Sequence, residues 1–248
     1  MSAWTTTTRT EFSKLLSRKK YIVLLILGAG FCFLRLGGSI LLEKLSRGMV
    51  QLRSNLMLEL LPFVAEIIVP LIVFMAAADL FCTELQEDTM KSALLRPVTR
   101  LKVFSAKIIA IFLLGAGFFL GTFLICALMQ LLSGSPVLAV LLPTLGAYCI
   151  DLIPMLGVVL FAVLMNMLAN SPTLAMLLSI GIYAVCKYLN YFLATWGQML
   201  FSAYLQWHKL WLGATLPFGA MLSKIGIVLG SIIIFYTIGY LLFDRKEV

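Results

Sequence analysis

Ile225-Gly-Ile-Val-Leu-Gly-Ser-Ile-Ile-Ile-Phe-Tyr-Thr-Ile-Gly-Tyr-Leu-Leu-Phe243, followed at once by Asp244-Arg245-Lys246-Glu247, decides the fold class. An α-helix rises about 1.5 Å per residue, so about 20 mostly apolar residues cross roughly 30 Å of hydrocarbon. This run meets that length without a charged side chain, and the charges after it stop it at the membrane surface. Tyr21–Leu34 and Leu61–Ala78 are largely apolar blocks of the same kind. Across 248 residues, 62% are hydrophobic and 12% charged, with a mean hydropathy of +1.05. A water-soluble domain of this size needs more polar surface. The chain reads as an all-α integral membrane protein, and a soluble enzyme is excluded.

The net charge of +8 is distributed as a membrane protein distributes it. Arg9, Lys14, Arg18, Lys19 and Lys20 precede the first apolar block. Lys91, Arg96, Arg100, Lys102 and Lys107 follow the second, and Arg245 and Lys246 follow the last. In a six-span arrangement these clusters fall on one side, as the positive-inside tendency requires. Both termini are expected in the cytoplasm, and no nucleic-acid partner is needed to account for the charge. Cys32, Cys82, Cys126, Cys149 and Cys186 form no CxxC pair and sit mostly in apolar runs, so neither a metal site nor a disulfide framework is implied.

Residues 1–20 are expected to form a cytoplasmic interfacial helix, with Trp4, Phe12, Leu15 and Leu16 among polar and basic positions. Residues 21–248 then form a six-span transmembrane domain. The spans fall near 21–42, 58–81, 103–132, 145–168, from about Leu174 onward, and 223–243. Arg35 and the Gly37–Gly38 pair are expected to interrupt the outer third of the first, and Pro62 and Pro154 to kink their helices. Residues 82–102 make the longest cytoplasmic connection. Residues 190–222, with Trp196, Trp207, Trp211, His208 and Pro217, lack an unbroken apolar run and read as an outer, re-entrant segment before the last span.

The most informative polar stretch is Glu84-Leu-Gln-Glu87-Asp-Thr89-Met90-Lys-Ser-Ala-Leu94-Leu95-Arg-Pro97-Val98-Thr99-Arg100, with Lys107 beyond it. Met90, Leu94 and Leu95 share one face of a short helix. Pro97 ends it, and Glu84, Glu87 and Asp88 suit the positive end of its dipole. Such an amphipathic helix outside the bilayer fits a groove on a soluble partner. In type and spacing the stretch resembles the first cytoplasmic loop of ABC-2-type transporter permeases. There an acidic residue, Gly-Thr, Leu-Leu, Pro-Val-Ser-Arg and Gly-Lys occur in order. Thr99 and Ala106 stand here for the Ser and the second Gly, and Asp88 departs from the first Gly.

The resemblance implies a bacterial inner-membrane permease, the membrane subunit of an ABC exporter. Glu84, Glu87, Thr89, Met90, Leu94, Leu95, Pro97 and Arg100 would then couple to a separate ATPase subunit. That partner would bind ATP and Mg, with no cofactor held by this chain, and a second permease copy would complete a homodimer. ATP binding would draw the two coupling loops together and rock the spans to release cargo outward. The chain itself carries no G-x-x-x-x-G-K-[ST] phosphate loop, so ATP hydrolysis is not expected in it.

Charges within the spans are costly and need a partner or a task. Arg35, Glu66, Asp151 and Lys187 all fall in the outer half of the bilayer. They read either as lining an outer cavity or gate, or as ion pairs that neutralise one another. A channel or ion-coupled transporter using Glu66 and Asp151 is the alternative reading. An intramembrane enzyme has no nucleophile–base pair to support it, with His208 expected at the outer interface. The cargo class is an amphipathic peptide, antibiotic, lipid or ion.

Overall fold

The structure is a computed structural model, and it describes residues 3–45, 55–87, 99–132, 137–193, 197–211 and 218–245. In chain order the elements are α1 (Ala3–Leu16), α2 (Lys19–Leu45), α3 (Leu56–Gln86), α4 (Arg100–Leu132), α5 (Val137–Leu168) and α6 (Pro172–Phe192). A 3-10 turn (Phe201–Tyr204), a single helical turn α7 (His208–Trp211) and α8 (Phe218–Arg245) follow. Among the described residues, five helices are long and apolar enough to cross a membrane. They are α3, α4, α5, α6 and α8. The chain is therefore a multi-spanning α-helical membrane protein.

Local chemistry sets the helix ends. Asn55 precedes α3 with its side chain accepting from the Leu58 N–H, and Ser171 does the same for α6 through the Leu174 N–H. Pro172 takes the first position of α6, where its missing donor costs nothing. α2 runs unbroken past Arg35, Gly37 and Gly38, contrary to the interruption expected there. A mid-helix glycine costs only about 1 kcal/mol, less than an unpaired backbone group would cost in lipid. α5 starts at Val137 and contains Pro143 as well as Pro154.

α3 departs from regular geometry twice, with π turns at Val64–Ile68 and Ala78–Thr83. The first lies between Pro62 and Pro70. Pro70 has no N–H to return to the Glu66 carbonyl four residues back, and the Tyr183 hydroxyl from α6 donates to that carbonyl at 2.7 Å. In the second turn the Thr83 hydroxyl donates to the Ala78 carbonyl at 3.1 Å. A π turn closes i to i+5, which brings Asp79 and Glu84 toward one face.

α5 is the hub. In its apolar window 72% of residues are buried, against 17% in α6 and 11% in α8. It packs on α3, α4, α6 and α8, while α2 lies on α4. Tyr148, between Phe119 and Phe123, donates to the Met57 carbonyl at 3.0 Å. At the opposite end Phe81, Phe104 and Phe243 pack edge-on or tilted with centroids 5.3–6.2 Å apart, joining α3, α4 and α8.

Two polar clusters, one at each end of the bundle

At one end, the ammonium of Lys107 lies 2.6 Å from Glu84 Oε2, 3.2 Å from Glu11 Oε2 and 3.0 Å from the Leu80 carbonyl. Lys107 is fully buried, at 0% exposure. Lysine is almost never found that deep unless paired, and all three of its donors have acceptors here. Lys14 bridges the other carboxylate oxygens, 3.0 Å from both Glu11 Oε1 and Glu84 Oε1. Two acids and two bases thus close a neutral ring that ties α1 to the end of α3 and the start of α4. Burial disfavours the charge on Lys14. The Glu11 and Glu84 carboxylates outweigh that and hold its pKa above the ordinary lysine value.

Asp79, one π turn earlier, is the third acid of this end. It accepts from the Tyr21 hydroxyl at 2.6 Å and pairs with Lys20 at 2.6 Å and Arg18 at 3.0 Å. The break between α1 and α2 is held to α3 by this carboxylate. Gln86 donates to the Asn170 carbonyl at 2.9 Å, and Arg100 to the Asp244 carbonyl at 2.9 Å. The stretch 82–102 therefore leaves and re-enters the bundle between anchored roots.

Of the residues expected to couple to a partner, Thr89, Met90, Leu94, Leu95 and Pro97 lie outside the described residues. Glu87 and Arg100 are exposed, whereas Glu84 is buried against the two lysines. Glu84 is placed to hold the root of the loop. Glu11, not singled out in the sequence, completes the ring. Its signal was the i, i+4, i+8 set Thr7, Glu11, Leu15, which is the buried stripe of α1, while Trp4 and Leu16 face outward.

At the other end, the charges pair in twos. Glu66 meets Lys187 at 2.7 Å and also accepts from Gln206 at 2.8 Å. Arg35 pairs instead with Glu59. Asp151, buried at 1% exposure, accepts the His208 backbone N–H at 2.7 Å and meets His208 Nδ1 at 2.6 Å. His208 is itself buried at 3%, packed against protein by its contact with Asp151.

Glu66 and Asp151 thus both receive the 197–211 segment, by Gln206 and His208. The segment is fixed further by Asn190, whose side-chain oxygen accepts from the Ser202 hydroxyl at 3.1 Å and the Ala203 N–H at 3.0 Å, and by Tyr204, which donates to the Gln198 carbonyl at 2.6 Å. Phe201 wedges between Phe161 and Phe235, each 5.3 Å away by ring centroids. Gly197 approaches the Asn190 backbone so closely that a Cβ there would overlap Asn190 Cα. Among the described residues, no group of His, Cys, Asp or Glu side chains could hold a metal ion.

A family model described as an ABC-2 family transporter protein matches residues 7–197, a span holding both roots of the 82–102 loop, Glu11, Glu66 and Asp151. Among curated proteins, none matches the chain. With well over half of its length inside that match, the chain belongs to the ABC-2 family of membrane transporter proteins.

Proposed function

We propose that the chain is the permease subunit of an ATP-driven exporter, worked by a separate ATPase through residues 84–100. The observation that carries this reading is the Glu11–Lys14–Glu84–Lys107 ring at the root of that stretch. A push on the loop would reach α1, α3 and α4 through short charge-assisted bonds, those of Lys107 buried, rather than dissipate in a slack hinge. Met90, Leu94 and Leu95 supply the apolar face for the partner, with Glu87 and Arg100 at its edges.

α2 serves as the sixth span in this reading. It is 27 residues long, buries Tyr21 and Cys32 inward and exposes Leu27, Phe33 and Leu34 outward. Alternation of the spans then puts both termini, and the basic clusters with them, on the cytoplasmic side of an inner membrane. The 190–222 segment is re-entrant. Phe201 reaches Phe161, ten residues and about 15 Å along α5 beyond Asp151. Glu66 and Asp151 hold that segment, a role that accounts for both acids without assigning them a transported ion. Two copies enclose the path for an amphipathic peptide, antibiotic, lipid or ion, and ATP and Mg belong to the partner.

The test is gentle purification from native membranes with mass spectrometry of the co-eluting proteins. A stoichiometric soluble protein with a phosphate-binding loop, lost from the Leu94→Asp/Leu95→Asp variant, is expected. A chain that elutes without such a partner and conducts ions in liposomes overturns the reading in favour of a channel.

A further inference from the structure

Where α2, α3 and α6 meet, beside Asp79, a cavity of about 280 Å³ opens sideways from the bundle. Its chemistry changes along its length. The mouth is formed by Lys20, Asp79 and Thr173. The wall beyond is apolar, with Met75 on α3 and Met176, Leu177 and Ile180 on α6. Thr173, Met176, Leu177 and Ile180 follow the i, i+3, i+4, i+7 pattern of one helix face, so the apolar wall climbs α6 for about 10 Å. Leu177 is 64% exposed, so the cavity opens toward the lipid.

The mouth is positive overall. Asp79 carries one negative charge and faces two cations, Lys20 and Arg18, whose side chains stay 37% and 43% exposed. Lys19 is exposed beside them. The 21-residue helix α6 begins at the same place, and its dipole adds positive potential there. Among the described residues, Asp79 and Tyr21 are the remaining titratable groups facing Lys20. Tyr21 is committed to Asp79, so neither offsets the second cation.

We propose that this cavity is a binding site for one anionic phospholipid, its phosphate held by Lys20 and Arg18 and one acyl chain lying along Met176, Leu177 and Ile180. A free anion would use the mouth and leave the apolar wall exposed, and a zwitterionic lipid would bring a cation to an already positive mouth. Basic pockets between spans suit acidic headgroups, at about 1 kcal/mol per Lys or Arg near the surface. The site needs only the ends of α2, α3 and α6 and does not rest on the ATPase partner. An ATPase that fails to co-purify would therefore leave it standing.

The experiment is native mass spectrometry of the full chain released from nanodiscs with equal phosphatidylglycerol and phosphatidylcholine. The wild type should retain phosphatidylglycerol preferentially, and Lys20→Gln should weaken that retention about fivefold. Asp79 keeps Arg18 and Tyr21 in that variant, so the fold survives. Lys20→Arg should restore retention, Met176→Trp should abolish it by filling the wall, and Lys209→Gln at the other end of the bundle should change nothing. Equal retention of both lipids, indifference to Lys20→Gln and Met176→Trp, or displacement by millimolar inorganic phosphate would overturn the assignment.

Discussion

Lys107 has no solvent to fall back on, so the value of its charge depends on Glu11 and Glu84 staying in place. Lys107→Met should leave two carboxylates sharing Lys14 alone. Breaking a buried ion network from one side costs about 3–5 kcal/mol, and partial compensation by Lys14 puts the expectation near the lower figure. Thermal unfolding in detergent checks it, with Lys107→Met/Glu84→Gln expected to recover part of the loss. Lys14 also gives the ring a pH limit. Its pKa is raised, so its contribution is fully present below the ordinary lysine value of 10.5 and lost as pH rises through the higher folded value. Proteolytic cleavage at the Ser17–Arg18 break should therefore be flat from pH 7 to 9 and accelerate only in strong alkali. A rise between pH 7 and 9 would mean another group controls the docking of α1. The sequence pointed to Lys107 and Glu84 through their place in the loop pattern, but not to their direct contact. Glu11 gave only a weak signal, because an acid on a basic helix reads as a solvated charge until α4 is known to lie against it.

At the scale of elements, the first π turn of α3 and the 197–211 segment depend on one another. Pro70 frees the Glu66 carbonyl, Tyr183 fills it, and the Glu66 side chain takes Lys187 and Gln206. Tyr183→Phe should cost about 1–2 kcal/mol by leaving a buried carbonyl unmet. In a Pro70→Ala background the restored N–H can meet that carbonyl, and the cost should shrink. A double-mutant cycle in unfolding free energy measures the difference, and strict additivity would refute the coupling. Asp151 holds the same segment from the other side. With Cys149 and Cys186 replaced by Ser, Cys introduced at the fully buried Ser202 should label slowly with a maleimide and many times faster when Asp151→Ala is added. Equal labelling rates would show that the His208 contacts do not retain the segment. Hydropathy made the long helices legible but not all their ends: α5 begins at Val137, ahead of the expected 145, and α3 runs on to Gln86. It could not foresee the π turns or the pairing of His208 with Asp151. Those depend on which helices become neighbours, and the two residues are 57 positions apart.

Taken whole, the molecule is an up-and-down bundle with α5 at its centre, a polar clamp at one end and a docked segment at the other. The lightly buried α6 and α8 leave apolar surface for lipid or for a second copy. The all-α membrane class and the family were readable because they rest on long apolar runs and on a local spacing pattern. Arg35, Glu66, Asp151 and Lys187 were recognised individually but not in their pairings. Arg35 turned to Glu59 on α3, and Asp151 to His208, which the aromatic 190–222 stretch had suggested only as an interfacial residue. The central claim is that residues 84–100 receive force from an ATP-hydrolysing partner, and a photo-crosslinking amino acid placed at Leu94 in native membranes tests it most directly. The account predicts a light-dependent adduct with a soluble protein carrying a phosphate-binding loop, absent when the same probe replaces Arg35 at the opposite end. No adduct at Leu94, or the same adduct from both positions, would contradict it.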